Sequence, residues 1–518
     1  MITTRRIIQC NKMKKAYPIL LYSVSAFIIL GLISCGSAKS NALTNTILRD
    51  IDSYFYVNVE DYPENRSALP IGIFDSGTGG LTVLDAIVNF DSFDNSRNIL
   101  KTGGDGIPDF QKECFIYLGD QANMPYGNYA AENNTGLLQE HIIKDVQFLL
   151  GERYYQSAEL SDFKSDKLPV KSIVIACNTA TAFGNETIES FLREAKLDIR
   201  VIGVIGAGVR GAFSQIQPDE NCSIGIMATA GTVSSGGYVQ AIDQYVNSMN
   251  HDGNVSVFQQ AGIGLAGAID GSPEYISATA TLPHAEYRGP SFNHMAAKID
   301  KNILDRYDFD WDNNYILLKG NCEDPNIIQL NSVENYIRYH VVTLLEQLRK
   351  AEEQKPLKVI ILGCTHYPFY TSQIQLELQR LYDYKENGQL VYRPFMDENI
   401  MLVDPALNTA KELYEYLNEA QLQNDSDIHK SEFYSSVPNV TNPNVQMDDF
   451  GNFTYEYKYG RWAGNIQEYV KRVPFSRGTL DAEIVRRLSR EIPVVYQLIH
   501  EFNQSNIKTE YLSDQQRL

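Results

Sequence analysis

A chain of 518 residues, 43% hydrophobic and 21% charged, has the composition of an ordinary globular protein and more length than one small core needs, so two or more domains are expected. Its net charge of −19 argues against nucleic acid or an anionic membrane face as a partner. Seven scattered cysteines, an odd number with no CxxC pair, argue against both a disulfide framework and a paired-cysteine zinc site.

The N-terminus has the layout of an export segment. Lys14 and Lys15 precede an apolar run from about Ala16 to Ile33. The run closes on Leu32-Ile33-Ser34-Cys35-Gly36, which resembles a bacterial lipobox. That resemblance implies a signal peptide over 1–35, a lipid on Cys35, and a protein anchored on the periplasmic side of the cell membrane. Met13 offers a second start. No other apolar run is long enough to span a bilayer, and 36–69 is a tether and lead-in.

Order is expected from about Pro70. Ile71–Phe74 is a short apolar strand that ends at Asp75-Ser76-Gly77-Thr78-Gly79-Gly80, and Leu81–Val88 follows with helical spacing. The turn lacks both the Gly-Lys-Ser/Thr ending of a P-loop and GxGxxG spacing. Residues 91–112 have acidic spacing similar to a calcium loop but no terminal Glu, so a solvated loop and no metal are expected. Cys114–Asp120 is a second strand, leading to Pro125-Tyr126-Gly127, and Glu140–Leu150 is helical. The third strand, Ser172 to Ala176, stops at Cys177-Asn178-Thr179. A helix is expected over Thr187–Lys196.

A second series begins with a strand at Val201–Ile205 and a helix at Ala207–Gln215. Ser223–Thr229 and Val255–Phe258 are further strands around a helix at Tyr238–Met249. Lys358–Leu362 ends at Gly363-Cys364-Thr365-His366. Residues 271–357 form a long insertion with a helix near Ser332–Lys350. Beyond the second thiol come a helix at Ser372–Tyr384, a strand at Asn399–Val403 and a helix at Leu407–Ala420. The tail, 421–518, has an aromatic stretch at Tyr455–Trp462 and an amphipathic one at Asp481–Phe502, and is expected to be a packed appendage without chemistry. Alternating strands and helices predict an α/β fold of two similar three-layer lobes with parallel sheets and a cleft between them. The boundaries are 71–200 with 367–420 for the first lobe, 201–366 for the second, and 421–518 for the extension.

Ligands of open α/β sheets sit beyond the carboxyl ends of the strands, where Cys177 and Cys364 both stand. A lone buried cysteine is usually a small hydrophobe. Two of them at strand ends, each followed by hydrogen-bonding residues, suit two-base proton transfer at one carbon, which inverts a stereocentre. Asp75 is placed to assist Cys177, and His366, two residues along, to assist Cys364. Ser76, Asn178, Thr179 and Thr365 can hold an amino-acid head and stabilise developing charge. No Lys stands at a comparable strand end, so nothing suggests pyridoxal phosphate.

Taken together, Ile71 to Val83, Pro125-Tyr126-Gly127, Ala176-Cys177-Asn178-Thr179, Thr229-x-Gly231-Thr232-x-x-Ser235 and Leu362 to Pro368 resemble the signature set of the glutamate racemases, in order over roughly 71–420. The resemblance implies cofactor-independent racemisation of L- to D-glutamate for peptidoglycan. It makes Cys177 and Cys364 the acid/base pair with Asp75 and His366 as assistants. Ser76, Asn178, Thr179, Thr229, Thr232 and Thr365 hold the amino-acid head, and Pro125, Tyr126 and Gly127 meet the side-chain carboxylate. The expected partners are a small-molecule substrate and the membrane, with a homodimer left open. The family usually carries Cys-Pro and a Glu after the strand matching Val255–Phe258; here the text is Gln259-Gln260-Ala261-Gly262, with Asp270 the nearest acid. Aspartate or another amino acid as substrate, or an amino-acid-binding lipoprotein without turnover, are the alternatives.

Overall fold

Apolar runs in the sequence become the central strands of two parallel sheets. A computed structural model describes residues 42–249, 251–321 and 325–518. The export segment with Cys35 lies outside the described residues.

In the first series β1 (Ile71–Asp75), α1 (Leu81–Val88), β2 (Phe115–Gly119), α2 (Thr135–Leu150), β3 (Ser172–Ile175), α3 (Asn178–Ala195) and β4 (Arg200–Gly203) alternate. β1, β2 and β3 are buried at every residue, as strands covered on both faces must be. The second series runs α4 (Val204–Phe213), β5 (Cys222–Ala228), α5 (Gly237–Ser248), β6 (Val255–Ala261), α6 (Val333–Lys350), β7 (Leu357–Gly363), α7 (Thr371–Tyr382), β8 (Met396–Val403) and α8 (Pro405–Glu419). Its sheet has the order β8-β7-β5-β6, parallel throughout.

Two features depart from the sequence reading. Residues 367–420 were expected with the first lobe, yet β8 pairs with β7 in the second sheet and α7 packs beside it. Only α8 reaches back, lying against α4 and α1 and so joining the lobes. The tail also does more than pack on the surface. Its β9 (Glu432–Pro438) pairs parallel with β2, and β10 (Val470–Pro474) pairs antiparallel with β9, which gives the first sheet the order β10-β9-β2-β1-β3-β4. The tail's last helices are α9 (Ala482–Glu491) and α10 (Pro493–Ser505), and α10 covers α1 and β9.

A buried charge network ties the tail down. Arg472 on β10 is 1% exposed and donates to Asp145 Oδ1 of α2 at 3.1 Å. Lys144 pairs with Glu140 at 2.7 Å, and Glu140 also accepts from Gly464 N at 2.7 Å. Removing one partner of such a buried pair costs about 3–5 kcal/mol, so these residues pin the extension to the lobe it completes. In the insertion, a hairpin of Ile316–Gly320 and Pro325–Leu330 precedes α6, and α6 packs on β6.

Candidate active site

Each sheet delivers its chemistry at the carboxyl ends of its central strands. β1 ends at Asp75, whose Oδ2 accepts from the backbone N–H of Gly77 at 3.1 Å and of Gly80 at 2.9 Å. The turn must be this tight: a Cβ on Gly80 would come within 2.6 Å of the Asp75 Cβ and 2.8 Å of the Ala176 Cβ. Tyr117 OH donates to the Gly77 carbonyl at 2.8 Å and holds the turn from β2.

β3 ends at Cys177, which caps the N-terminus of α3: its Sγ accepts from Ala180 N at 3.4 Å and lies 3.6 Å from Ser76 Oγ. Burial first, and the Asp75 charge second, push the Cys177 thiol up to about 12 against the pull of its contacts with Ala180 and Ser76. Cys177 is therefore a protonated thiol at neutral pH. Asn178 and Thr179 are half-buried in the first turn of α3.

β7 ends at Gly363 and Cys364. Here a Cβ on Gly363 would meet the Ala228 Cβ and the Tyr238 ring, both at 2.9 Å. Cys364 Sγ is 3.6 Å from His366 Nδ1, and His366 Nε2 is 3.1 Å from Asp270 Oδ1. Burial works against a charge on His366, but Asp270 and the Cys364 sulfur outweigh it, and the imidazole is pushed up to about 10. An imidazolium therefore faces one sulfur while a neutral thiol occupies the other strand end.

The two ends touch. Asn178 Nδ2 donates to the Gly363 carbonyl across the lobe boundary at 3.3 Å, and Tyr238 OH donates to Asn178 Oδ1 at 3.3 Å. The residues next to each thiol are thus in direct contact. A cavity beside Cys364, lined in part by Asn178, Tyr238, Thr365 and Asp404, holds about 20 Å³, room for roughly one water.

No family model matches the chain. Among curated relatives, a glutamate racemase of Oceanobacillus iheyensis is 27% identical over 358 residues, covering 69% of this chain and 82% of that protein. A glutamate racemase of Aquifex pyrophilus is 34% identical over 176 residues, 34% of this chain and 51% of the relative. Among solved structures, a glutamate racemase isoform from Bacillus anthracis aligns with a TM-score of 0.40 and 23% identity, covering 71% of this chain and 88% of its own. The chain is a homologue of the glutamate racemases.

The racemase signature can now be followed into space. The five motifs lie at the ends of β1, β2, β3, β5 and β7. Thr229 caps a short helix, Ala230–Ser235, and its Oγ1 is 3.0 Å from Thr232 Oγ1. That helix packs against both α3 and the short helix Gly127–Ala131, so the threonines of the second lobe stand opposite the Pro125-Tyr126-Gly127 turn of the first. Gly127 is half-buried and Pro125 exposed. The Tyr126 side chain turns into the first lobe. Its ring is 1% exposed, and its OH lies 2.6 Å from Asp120 Oδ2 and 2.7 Å from Asp145 Oδ2. Burial and the neighbouring Asp120 push the Asp145 carboxyl up, while the Arg472 guanidinium beside it pulls the other way. The Tyr126 hydroxyl is therefore engaged inside the first lobe, and what the turn can offer a ligand is backbone.

Sequence reasoning noted Asp270 only as the nearest acid to a missing Glu. In the structure it is the partner of His366, reached through the short helix Leu265–Ile269. Asp270, His366 and Glu491 also place one ligand atom each within 4.8 Å of one another. Cations already serve the carboxylates: Arg487 faces Asp270 at 3.7 Å and Arg490 holds Glu491 at 2.8 Å.

The His366–Asp270 pair carries a pH signature. The folded value lies above the ordinary 6.5, so the contribution to stability is full below pH 6.5 and is lost as pH rises to about 10. The gap in urea midpoint between wild type and His366→Gln is expected to be widest at or below pH 6.5 and to close by about pH 10; a gap that grows with pH contradicts the pair.

Proposed function

We propose that this chain interconverts L- and D-glutamate without a cofactor, by proton transfer between two cysteines. What supports this reading is the contact between Asn178 and Gly363, which brings the strand ends of Cys177 and Cys364 together across the lobe boundary, with His366 held on Cys364 by Asp270. In one direction the Cys364 thiolate, facing the His366 imidazolium, takes the α-proton from one face of the bound amino acid, and the Cys177 thiol gives its proton to the opposite face. The negative charge passes from one sulfur to the other through the substrate, and no electron is gained or lost. The reverse reaction runs the same path with the sulfurs exchanging roles.

An α-proton beside a carboxylate is very weakly acidic, so the site must hold the head groups and stabilise the developing charge. Ser76, Asn178, Thr179, Thr232 and Thr365 supply polar groups for that task, and a closed, water-poor cleft strengthens each of them.

The export reading belongs to the same proposal. The lipobox-like Cys35 anchors the enzyme outside the cytoplasm, where it supplies D-glutamate for cell-wall chemistry. Cys177 and Cys364, 7% and 5% exposed, are shielded from oxidants there.

With reductant present, the wild type is expected to produce D-glutamate from L-glutamate in deuterated water with deuterium at the α-carbon, and to turn over glutamate faster than aspartate. Cys177→Ser and Cys364→Ser should each lose about 10²- to 10⁴-fold in rate, the range of a missing acid or base. Full-rate racemisation by either variant, or none by the wild type, contradicts the two-thiol scheme. Cys35→Ala should move the protein from the membrane fraction to the soluble one, and unchanged retention contradicts the anchor.

A further inference from the structure

The extension reaches the site through one side chain. α9 starts at a firm cap, with Asp481 Oδ1 accepting from Glu483 N at 2.9 Å and Ile484 N at 2.8 Å, and it buries Leu488. Arg487, one residue earlier, projects toward both lobes. Its Nη2 donates to Thr78 Oγ1 at 3.3 Å, in the turn that carries Asp75 and Ser76. Its Nη1 is 3.7 Å from Asp270 Oδ2, and the other oxygen of that carboxylate holds His366. A continuous run therefore leads from Arg487 through Asp270 and His366 to Cys364, while the same guanidinium touches the turn serving Cys177.

We propose that Arg487 is a positioning residue for racemisation: it fixes Asp270 so that His366 stays aimed at Cys364, and it ties this arm to the glycine-rich turn beside Cys177. The proposal rests on the racemase reading for its kinetic consequence, though not for its geometry. An arginine suits the place because its planar fork presents donors in two directions, whereas a lysine ammonium is a point charge that cannot span Thr78 and Asp270 together. A partly exposed pair of this kind adds little to folding, so its consequence lies in orientation. The groups facing His366 are the Cys364 sulfur, Asp270 and Glu491, with Arg487 and Arg490 behind the two carboxylates.

Two readouts test it on the full chain. In the first, the His366 imidazole is titrated by NMR in histidine-labelled protein, assigned with His366→Gln. If Arg487 positions Asp270, Arg487→Ala lets the carboxylate swing away, and the His366 value falls from about 10 toward 6.5. A value that stays or rises overturns the proposal, because removing a bystander cation can only favour the imidazolium. This readout decides even if the protein racemises nothing. In the second, Arg487→Ala and Arg487→Lys are both expected to lower kcat by about 10- to 100-fold, the cost of misplacing a catalytic group, with KM little changed. Equal kcat in wild type and both variants overturns the proposal, as does a loss that only tracks the fraction of folded protein. Absence of racemisation in the wild type sinks the functional reading instead.

Discussion

The hydrogen bond from Asn178 to the carbonyl of Gly363 is the contact on which the rest of the site depends. It joins the residue after one thiol to the residue before the other, at the place where the two sheets present their strand ends to each other. Parallel sheets aim every carboxyl end the same way, so two of them facing across a boundary concentrate turns, helix N-termini and unspent polar groups in one layer. The fold supplies that layer before any particular residue makes it reactive. A neutral hydrogen bond at 3.3 Å contributes only about 1 kcal/mol net, so it sets the register of the lobes without locking them shut.

The electrostatics of the two thiols differ for reasons visible in their surroundings. Cys177 is enclosed by apolar strand and helix with the Asp75 carboxylate nearby, and both hold its proton on. Cys364 faces an imidazolium whose charge is kept by Asp270. A two-base scheme needs this inequality, because a pair of thiols, or a pair of thiolates, could not both give and take. The chain arrives at it with ordinary materials: one sulfur buried beside a carboxylate, and one with a charged histidine two residues away.

Much of this was legible in the sequence. The apolar runs that stop at Asp75, Cys177 and Cys364 are continuous because the strands are covered on both faces, and such runs are hard to mistake. The short-range turn chemistry was readable for the same reason. What escaped was long-range. β9 and β10 carry Ser435, Ser436, Lys471 and Arg472, all buried, and so lack the apolar signature of a strand in a sheet. Several of their polar groups reach partners more than 300 residues away, such as Asp145 for Arg472, which no local pattern reveals. α9 was visible as an amphipathic helix, but amphipathicity says that one face is covered and not that Arg487 lies over a cleft. The burial of the Tyr126 ring was likewise unreadable, because its hydroxyl's partner Asp145 sits on a separate helix.

The central claim is spatial: two sulfurs share one carbon between them. A crystal structure with D-glutamate bound tests this most directly. The account predicts the amino acid between the lobes, its α-carbon about 3.5 Å from the sulfurs of both Cys177 and Cys364 on opposite faces, the spacing of a near-attack geometry. An amino acid held within reach of one sulfur only, or bound away from the strand ends altogether, would contradict it.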